Sequence, residues 1–196
     1  MRLDRDGYHG AVADSDKTFG ELLETLKHAA AALRDADVPF VLGGGLAIWA
    51  RGGPETEHDV DLFVRPADAE RAWLALEEIG FRTEEPPEGW LYKGFRNGVM
   101  VDLIYEPTGL EVGDEFFARA EELDVHAVQM AVMRADDVLV AKLLAMREHE
   151  LDYEQVLEIA RTVREQIDWD EVRERTDGSP YAKAFLTLVD ELGVSA

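Results

Sequence analysis

An α+β fold is predicted, in which a mixed β-sheet is flanked by helices and followed by a helical C-terminal part. Up to residue 106, strand-like apolar runs alternate with helical segments in the order β-α-β-α-β-β, which favours a mixed sheet. From residue 135 onward, the apolar residues recur only at helical spacing. The sequence therefore predicts a core over residues 17–130 and a helical region over residues 135–196 that packs on it.

Turn and cap residues delimit the individual elements. Asp16 can cap a first helix, and Asn97-Gly98 is a strong hairpin signal. On these signals residues 1–16 form an irregular arm. The predicted strands span residues 38–42, 58–64, 81–83, 90–95, 99–106 and 125–133, and the predicted helices span residues 17–35, 46–50, 66–79, 114–120, 135–147, 153–165, 169–175 and 181–192.

The composition is that of a globular protein with a proper core. The chain has 196 residues, of which 46% are hydrophobic and 32% are charged. No run approaches the roughly 18 apolar residues of a membrane span, and the N-terminus lacks the apolar segment of a secretory signal. The chain has no cysteine, which excludes disulfides and thiolate zinc sites and fits a reducing compartment. We therefore expect a cytoplasmic protein that makes no membrane contact.

The formal net charge of −22 restricts the kinds of partner. Proteins that wrap nucleic acid are usually basic, because contacts with phosphate supply most of the non-specific affinity. An acidic surface instead favours solubility and a basic partner. The charge therefore argues against extensive nucleic-acid binding and leaves room only for a local basic patch.

A glycine-rich turn and two acids form the central motif. The strand over residues 38–42 ends at three glycines, of which Gly44 and Gly45 lead into a short helix. Glycines at such a turn let backbone N–H groups approach a phosphate. Downstream, Asp59 and Asp61 lie two residues apart in a strand, so their carboxylates share one face.

Asp102 is the third acid of interest, and it is the only charge in the strand-like run over residues 98–105. A neighbouring strand lies about 4.8 Å away, so Asp102 can complete a cluster with Asp59 and Asp61. Three carboxylates this close would repel one another unless cations lay between them. Carboxylate oxygens are ligands that Mg²⁺ prefers, and the pattern therefore predicts a metal site.

The glycine pair, the Asp-x-Asp motif thirteen residues later and the distant strand aspartate resemble the signature of the polymerase-β-like nucleotidyltransferase superfamily. Within it the chain looks most like the AbiEii/MenT-type nucleotidyltransferase toxins. The later stretch over residues 136–147, with Lys142 and Arg147 and then Asp152, carries this finer resemblance. The loop over residues 54–58 departs from the Ser or Arg-x-Thr pattern of many relatives.

The resemblance implies a fold, an activity and a set of roles. The sheet would be a nucleotidyltransferase core, and Asp59, Asp61 and Asp102 would hold two Mg²⁺ ions. Gly44 and Gly45 would bind the phosphates of an NTP, and Lys142 would neutralise the leaving pyrophosphate. It further implies a toxin that adds nucleotides to tRNA 3′ ends and that has a cognate antitoxin partner.

Other interpretations stay open. One alternative is the same chemistry with a protein or a small molecule such as an aminoglycoside as the acceptor. A second alternative is a non-catalytic nucleotide-binding or antitoxin-like module that keeps the fold. Lys142 can instead lay its stem on the core without touching a ligand. On the hairpin, Tyr92 and Lys93 are candidates to clamp a base. The cations predicted to contact an RNA acceptor are Lys93, Arg96 and Arg51.

Overall fold

The structure, a computed structural model, describes residues 19–56, 59–87 and 89–195. The predicted N-terminal arm and the cap Asp16 lie outside these ranges. The strands are β1 (Phe40–Leu42), β2 (Val60–Val64), β3 (Arg82–Glu84), β4 (Leu91–Arg96), β5 (Val99–Ile104), β6 (Glu121–Val125) and β7 (Val128–Val132). The helices are α1 (Phe19–Asp35), α2 (Gly44–Ala50), α3 (Ala69–Glu78), α4 (Asp114–Arg119), α5 (Ala135–Ala145), α6 (Tyr153–Thr162), α7 (Trp169–Arg175) and α8 (Pro180–Glu191), with 3-10 turns at Pro66–Asp68 and Arg164–Gln166.

The described strands form one sheet of seven, in the order β3-β4-β5-β2-β1-β7-β6. Strand β2 runs parallel to β5, and β1 runs parallel to β7, whereas the other neighbours are antiparallel. The sheet is therefore mixed and is combined with helices, which confirms the predicted α+β class.

Side-chain alternation separates the two faces of the sheet. Leu62, Leu103 and Tyr92 are partners along one register line and lie on the face that α1 and α3 cover. On this face Trp73 of α3 stacks on Tyr92, with ring centroids 5.0 Å apart. The acids of β2 and β5 therefore lie on the opposite face, away from α1 and α3.

Several predicted element ends were wrong by two or three residues, and two differences are larger or lie at the site. The single strand expected over residues 125–133 is the hairpin β6–β7, whose turn residues His126 and Ala127 have φ angles of 51° and 64°. Such left-handed turns usually carry glycine or asparagine, so His126 and Ala127 did not indicate a hairpin. The helix expected over residues 46–50 begins two residues earlier, at Gly44.

Helix α5 lies at the centre of the helical part, where it contacts α2, α6, α7 and α8. Seven of its eleven residues are buried, including Asp136 and Asp137 in its first turn. None of the helices in the described ranges is both long enough and apolar enough to cross a membrane.

Candidate active site

Asp61 and Asp102 meet across the parallel strands β2 and β5, because they are direct register partners. Lys93 of β4 is in turn the register partner of Asp102. Asp59, two residues before Asp61, is close enough for its charge to raise the pKa of both other carboxyls. The fold thus brings the three predicted acids to one region of one sheet face and adds an ammonium group beside them.

The Asp61 carboxyl binds its proton unusually tightly. Burial, with the nearby charge of Asp102 as the second cause, raises its pKa from 3.8 to about 7. Lys142 opposes this shift, and Asp59 adds to it. At neutral pH the group is therefore divided between its protonated and ionised forms, and a cation would shift it toward the ionised form.

Asp102 has an oxygen without a hydrogen-bond donor. Its pKa is raised, chiefly by burial, while Lys93 opposes the rise. Lys93 Nζ lies 3.3 Å from Asp102 Oδ1 in an ion pair, and it also approaches Met100 Sδ at 3.3 Å. Within the described part of the chain, Oδ1 is buried and accepts no hydrogen bond. This oxygen is therefore available as a ligand or as a proton acceptor.

The two glycines lie directly against this acidic region. Gly44 has a φ of +57°, and a Cβ placed on it would overlap Asp61 Oδ2. A Cβ on Gly45 would lie 2.6 Å from Thr56 Oγ1. The N–H of the preceding Gly43 donates to the Asp61 carbonyl at 2.9 Å and so holds the turn beside β2. Only glycine allows Asp61 to approach the turn this closely.

Lys142 projects from α5 toward Asp61. Its pKa is lowered by burial, against the opposing charges of Asp61 and Asp152. Its Nζ donates to Gln155 Oε1 at 2.7 Å. The ammonium is therefore held at a polar site and does not reach for bulk water, which disagrees with the interpretation of Lys142 as a residue that only covers the core.

These residues line a cleft of about 730 Å³ between the sheet and α6. Gly45, Thr56 and Asp61 form one wall, and Lys142 and Gln155 contribute to the other. Sequence reasoning missed Thr56 and Gln155 because their role depends on contacts between distant segments. The cleft joins the acidic region of β2 to the first turn of α6.

An ion-pair network fixes the start of α5 and thereby the direction of Lys142. Asp137 Oδ1 accepts from Arg119 Nε of α4 at 3.0 Å and from Arg175 of α7. Arg134 Nη2 lies 2.8 Å from Asp136 Oδ2, and Arg119 also forms an ion pair with Glu171 at 2.7 Å. Buried carboxylates need such partners, so Asp136 and Asp137 anchor the helix. Neither of them lines the cleft.

The chemistry of the acids fits Mg²⁺, although they are not gathered into a finished cluster. No three Asp, Glu or His side chains of the described ranges lie close enough together to hold a metal as they stand. However, Asp61 and Asp102 are in register, both have raised pKa values, and Asp102 Oδ1 lacks a hydrogen-bond donor. A divalent cation would relieve their repulsion and would compete with the Lys93 ammonium for Asp102 Oδ1.

Three side chains that were predicted to contact an acceptor instead make hydrogen bonds, ion pairs or packing contacts within the fold. Arg51 donates to Met133 O at 2.7 Å and pairs with Glu121 at 2.8 Å, and only 8% of its side chain is exposed. Arg96 donates to Ile79 O at 3.1 Å. Tyr92 packs on the opposite face of the sheet. Of the predicted hairpin contacts only Lys93 lies at the site, where it pairs with Asp102.

Comparisons with known proteins indicate a family and a fold. A family described as uncharacterised nucleotidyltransferase matches residues 11–189. No curated protein matches the sequence. Among solved structures, the chain is similar to ANT(2″)-Ia in complex with adenylyl-2″-tobramycin, with a TM-score of 0.62, 15% identity and coverage of 84% of this chain and 97% of that one.

Two further structures share the fold. One is the lincosamide antibiotic adenylyltransferase LnuA in its lincomycin-bound form, with a TM-score of 0.52, 14% identity and coverage of 69% of this chain and 92% of that one. The other is an antigenic nucleotidyltransferase-like protein from Paracoccidioides brasiliensis, with a TM-score of 0.51, 14% identity and coverage of 87% and 88%. These structures show the shared fold, and the match to the nucleotidyltransferase family confirms the predicted superfamily.

Proposed function

Because the chain belongs to this family of nucleotidyltransferases, we propose that it transfers a nucleoside monophosphate from an NTP to an acceptor hydroxyl in a Mg²⁺-dependent reaction. The observation that carries the proposal is the register pairing of Asp61 with Asp102 directly beside Gly44. It unites a potential metal ligand, a potential proton acceptor and a turn where the backbone can approach a phosphate.

Each residue has a definite proposed role. Asp59, Asp61 and Asp102 would hold two Mg²⁺ ions, which when bound would neutralise the triphosphate and acidify the acceptor hydroxyl. The N–H groups of Gly44 and Gly45 would contact phosphate oxygens. The Lys142 ammonium, held by Gln155 at the cleft, would balance the charge that develops on the departing pyrophosphate.

The transfer itself is a substitution at the α-phosphorus. The acceptor oxygen bonds to this phosphorus while its bond to the bridging oxygen of the β-phosphate breaks, and pyrophosphate leaves. The hydroxyl proton goes to Asp102. Within the described residues Asp102 Oδ1 accepts no hydrogen bond, which supports this role.

Addition of nucleotides to tRNA 3′ ends, by a toxin with a cognate antitoxin, is the second candidate. The stretch that resembles the AbiEii/MenT-type toxins supports it, since Lys142 and Asp152 both line the cleft. The net charge of −22 counts against it, because a tRNA acceptor needs cationic contacts.

One labelling experiment tests the proposal. The protein is incubated with each α-³²P-labelled NTP, MgCl₂ and, in separate reactions, tRNA, a protein mixture or small hydroxylic compounds. We expect label in one acceptor class, dependence on Mg²⁺, and loss of transfer in Asp61→Asn. Wild-type protein that binds no NTP and labels no acceptor would support the non-catalytic alternative. Label in tRNA would establish the second candidate.

A further inference from the structure

Resting on the proposed nucleotidyl transfer, we infer that the acceptor is a small hydroxylic compound that carries amino groups and binds as a cation. Its site is the half of the 730 Å³ cleft formed by α6 and by residues 54–56. A cleft of this size fits the range of about 300–1,000 Å³ that small ligands occupy.

The acceptor half of the cleft is defined by four carboxylates. Asp152, Glu154 and Glu158 come from α6 and its cap, and Glu55 comes from the facing loop. Along α6, Glu154 and Glu158 are four residues apart and so lie one above the other on the same side of the helix. They line the same space as Asp61 and Lys142, so a molecule bound by them lies beside the proposed reaction centre.

Three of these carboxylates have no partner among the residues that the structure describes. Glu55, Glu154 and Glu158 are exposed, and within the described residues their carboxylates make no ion pair or hydrogen bond. Asp152 differs, because its Oδ1 accepts from Gln155 N at 3.1 Å and caps α6. This contrasts with the acids elsewhere near α5, such as Asp137 and Glu171, which arginines neutralise.

The cleft therefore carries a strong excess of negative charge. Its described lining includes five acids, the four above and Asp61, against the single cation Lys142. Lys142 donates to Gln155, and its charge acts on Asp61 and Asp152, so it offsets only a part of the negative charge of the lining. Clefts lined by one sign of charge focus the field and concentrate ligands of the opposite sign. The bound NTP is also an anion, which increases the selection for a cationic acceptor.

An RNA acceptor is a polyanion and would be repelled by the negative charge of the cleft. Its phosphates would approach this acidic wall, while Arg51 and Arg96 are used in structural contacts and Lys93 pairs with Asp102. A cationic small molecule needs none of these side chains. The distribution of charge around the cleft therefore favours the small cation over the polyanion.

The test compares acceptors that differ only in charge. Tobramycin and its fully N-acetylated derivative have the same hydroxyls, and glucosamine with N-acetylglucosamine forms a simpler pair. Calorimetry measures the binding of each without nucleotide, and transfer of label from α-³²P-NTP with MgCl₂ gives KM and kcat. Total tRNA serves as the anionic acceptor.

The variants test the wall itself. Glu154→Gln with Glu158→Gln removes two charges while keeping side-chain size, and Glu77→Gln with Glu78→Gln makes the same change on α3, outside the cleft. One exposed ion pair changes a binding constant by a factor of roughly 1.4 to 5. The α6 double variant removes two charges and should therefore raise Kd and KM for tobramycin about 2- to 30-fold. The α3 variant should leave both values unchanged, and high salt should weaken the binding.

The possible failures are distinguishable. Three results would overturn the inference and leave the proposed transfer standing. These are equal labelling of the amino compounds and their acetylated forms, equal effects of the α6 and α3 double variants, and preferred labelling of tRNA. A different outcome is that calorimetry shows tighter binding of the amino compounds than of their acetylated forms, while no acceptor is labelled. That result would overturn the proposed transfer and leave the cation site intact.

Discussion

Replacement of Asp61 by Asn should stabilise the metal-free protein at alkaline pH. The unfolded chain releases this proton near pH 3.8, whereas the folded protein keeps it until about pH 7. Between these values the folded state binds more protons than the unfolded state, so stability falls as the pH rises. Asn has nearly the same shape but no charge, and the variant escapes this loss.

The size of the effect follows from the two pKa values. Each tenfold difference in proton affinity corresponds to 1.36 kcal/mol, so the rise from 3.8 to about 7 sets an upper limit of about 4 kcal/mol above pH 8. Between pH 5 and pH 8, the advantage of Asp61→Asn over wild type should grow by about 2 to 3 kcal/mol. Shifted groups that do not interact with Asp61, such as Tyr153, titrate in both proteins and cancel in the difference.

Urea unfolding in EDTA at pH 5 and pH 8 measures this difference. Asp35→Asn, at an exposed position at the end of α1, provides a matched change of charge. Added MgCl₂ should stabilise the wild type at pH 8 and should stabilise Asp61→Asn much less. An advantage that does not grow with pH, or equal stabilisation of both proteins by Mg²⁺, would refute both the buried charge and the metal ligand.

Three further substitutions test other parts of the site. Lys142→Met keeps the apolar stem and should slow transfer by about 10- to 100-fold without lowering Tm, because a charge-assisted contact is lost; a lower Tm with normal transfer would show that the residue only packs. Asp102→Asn should bind NTP normally in calorimetry but lower kcat by about 10²- to 10⁴-fold, because the general base is lost; parallel losses of affinity and rate would make Asp102 structural. Gly44→Ala should cost about 1–2 kcal/mol for its left-handed backbone and should also abolish NTP binding, because its Cβ overlaps Asp61. Gly80→Ala has a φ of +87° and open space around its Cβ, so it should show only the loss of stability; equal NTP affinity in both alanine variants would contradict the role of Gly44.

The sheet and the approach of the acids were predictable from local patterns. Asp102 is the only charge in an apolar strand, and the period of two in β2 places Asp59 and Asp61 together. The fold class and the superfamily are confirmed, and the roles of the individual residues stay predictions. The loops were harder, since the turn at His126 and Ala127 uses residues that rarely adopt its conformation.

Contacts between distant segments could not be read from the sequence. Gln155 lies thirteen residues after Lys142, and only the packing of α6 on α5 brings their polar atoms within 2.7 Å. Likewise, Arg51 follows α2 and looks like a loop cation, but the hairpin β6–β7 provides carbonyls and Glu121 that take up its guanidinium. Both outcomes depend on tertiary packing, which local propensity does not encode.

The register of β2 and β5 also has a consequence for folding fidelity. If β5 paired one residue out of step, Asp102 would turn toward α1 and α3, into the face where Leu62 and Leu103 are fully buried. A carboxylate enclosed there without a partner costs several kcal/mol, so the mispaired sheet is penalised heavily. The same acid that we place at the reaction centre therefore discriminates against a wrong strand alignment. An inactive homologue with a hydrophobic residue in place of Asp102 would lose this discrimination. Its strands β2 and β5 would pair in a less specific register, even if its core were better packed.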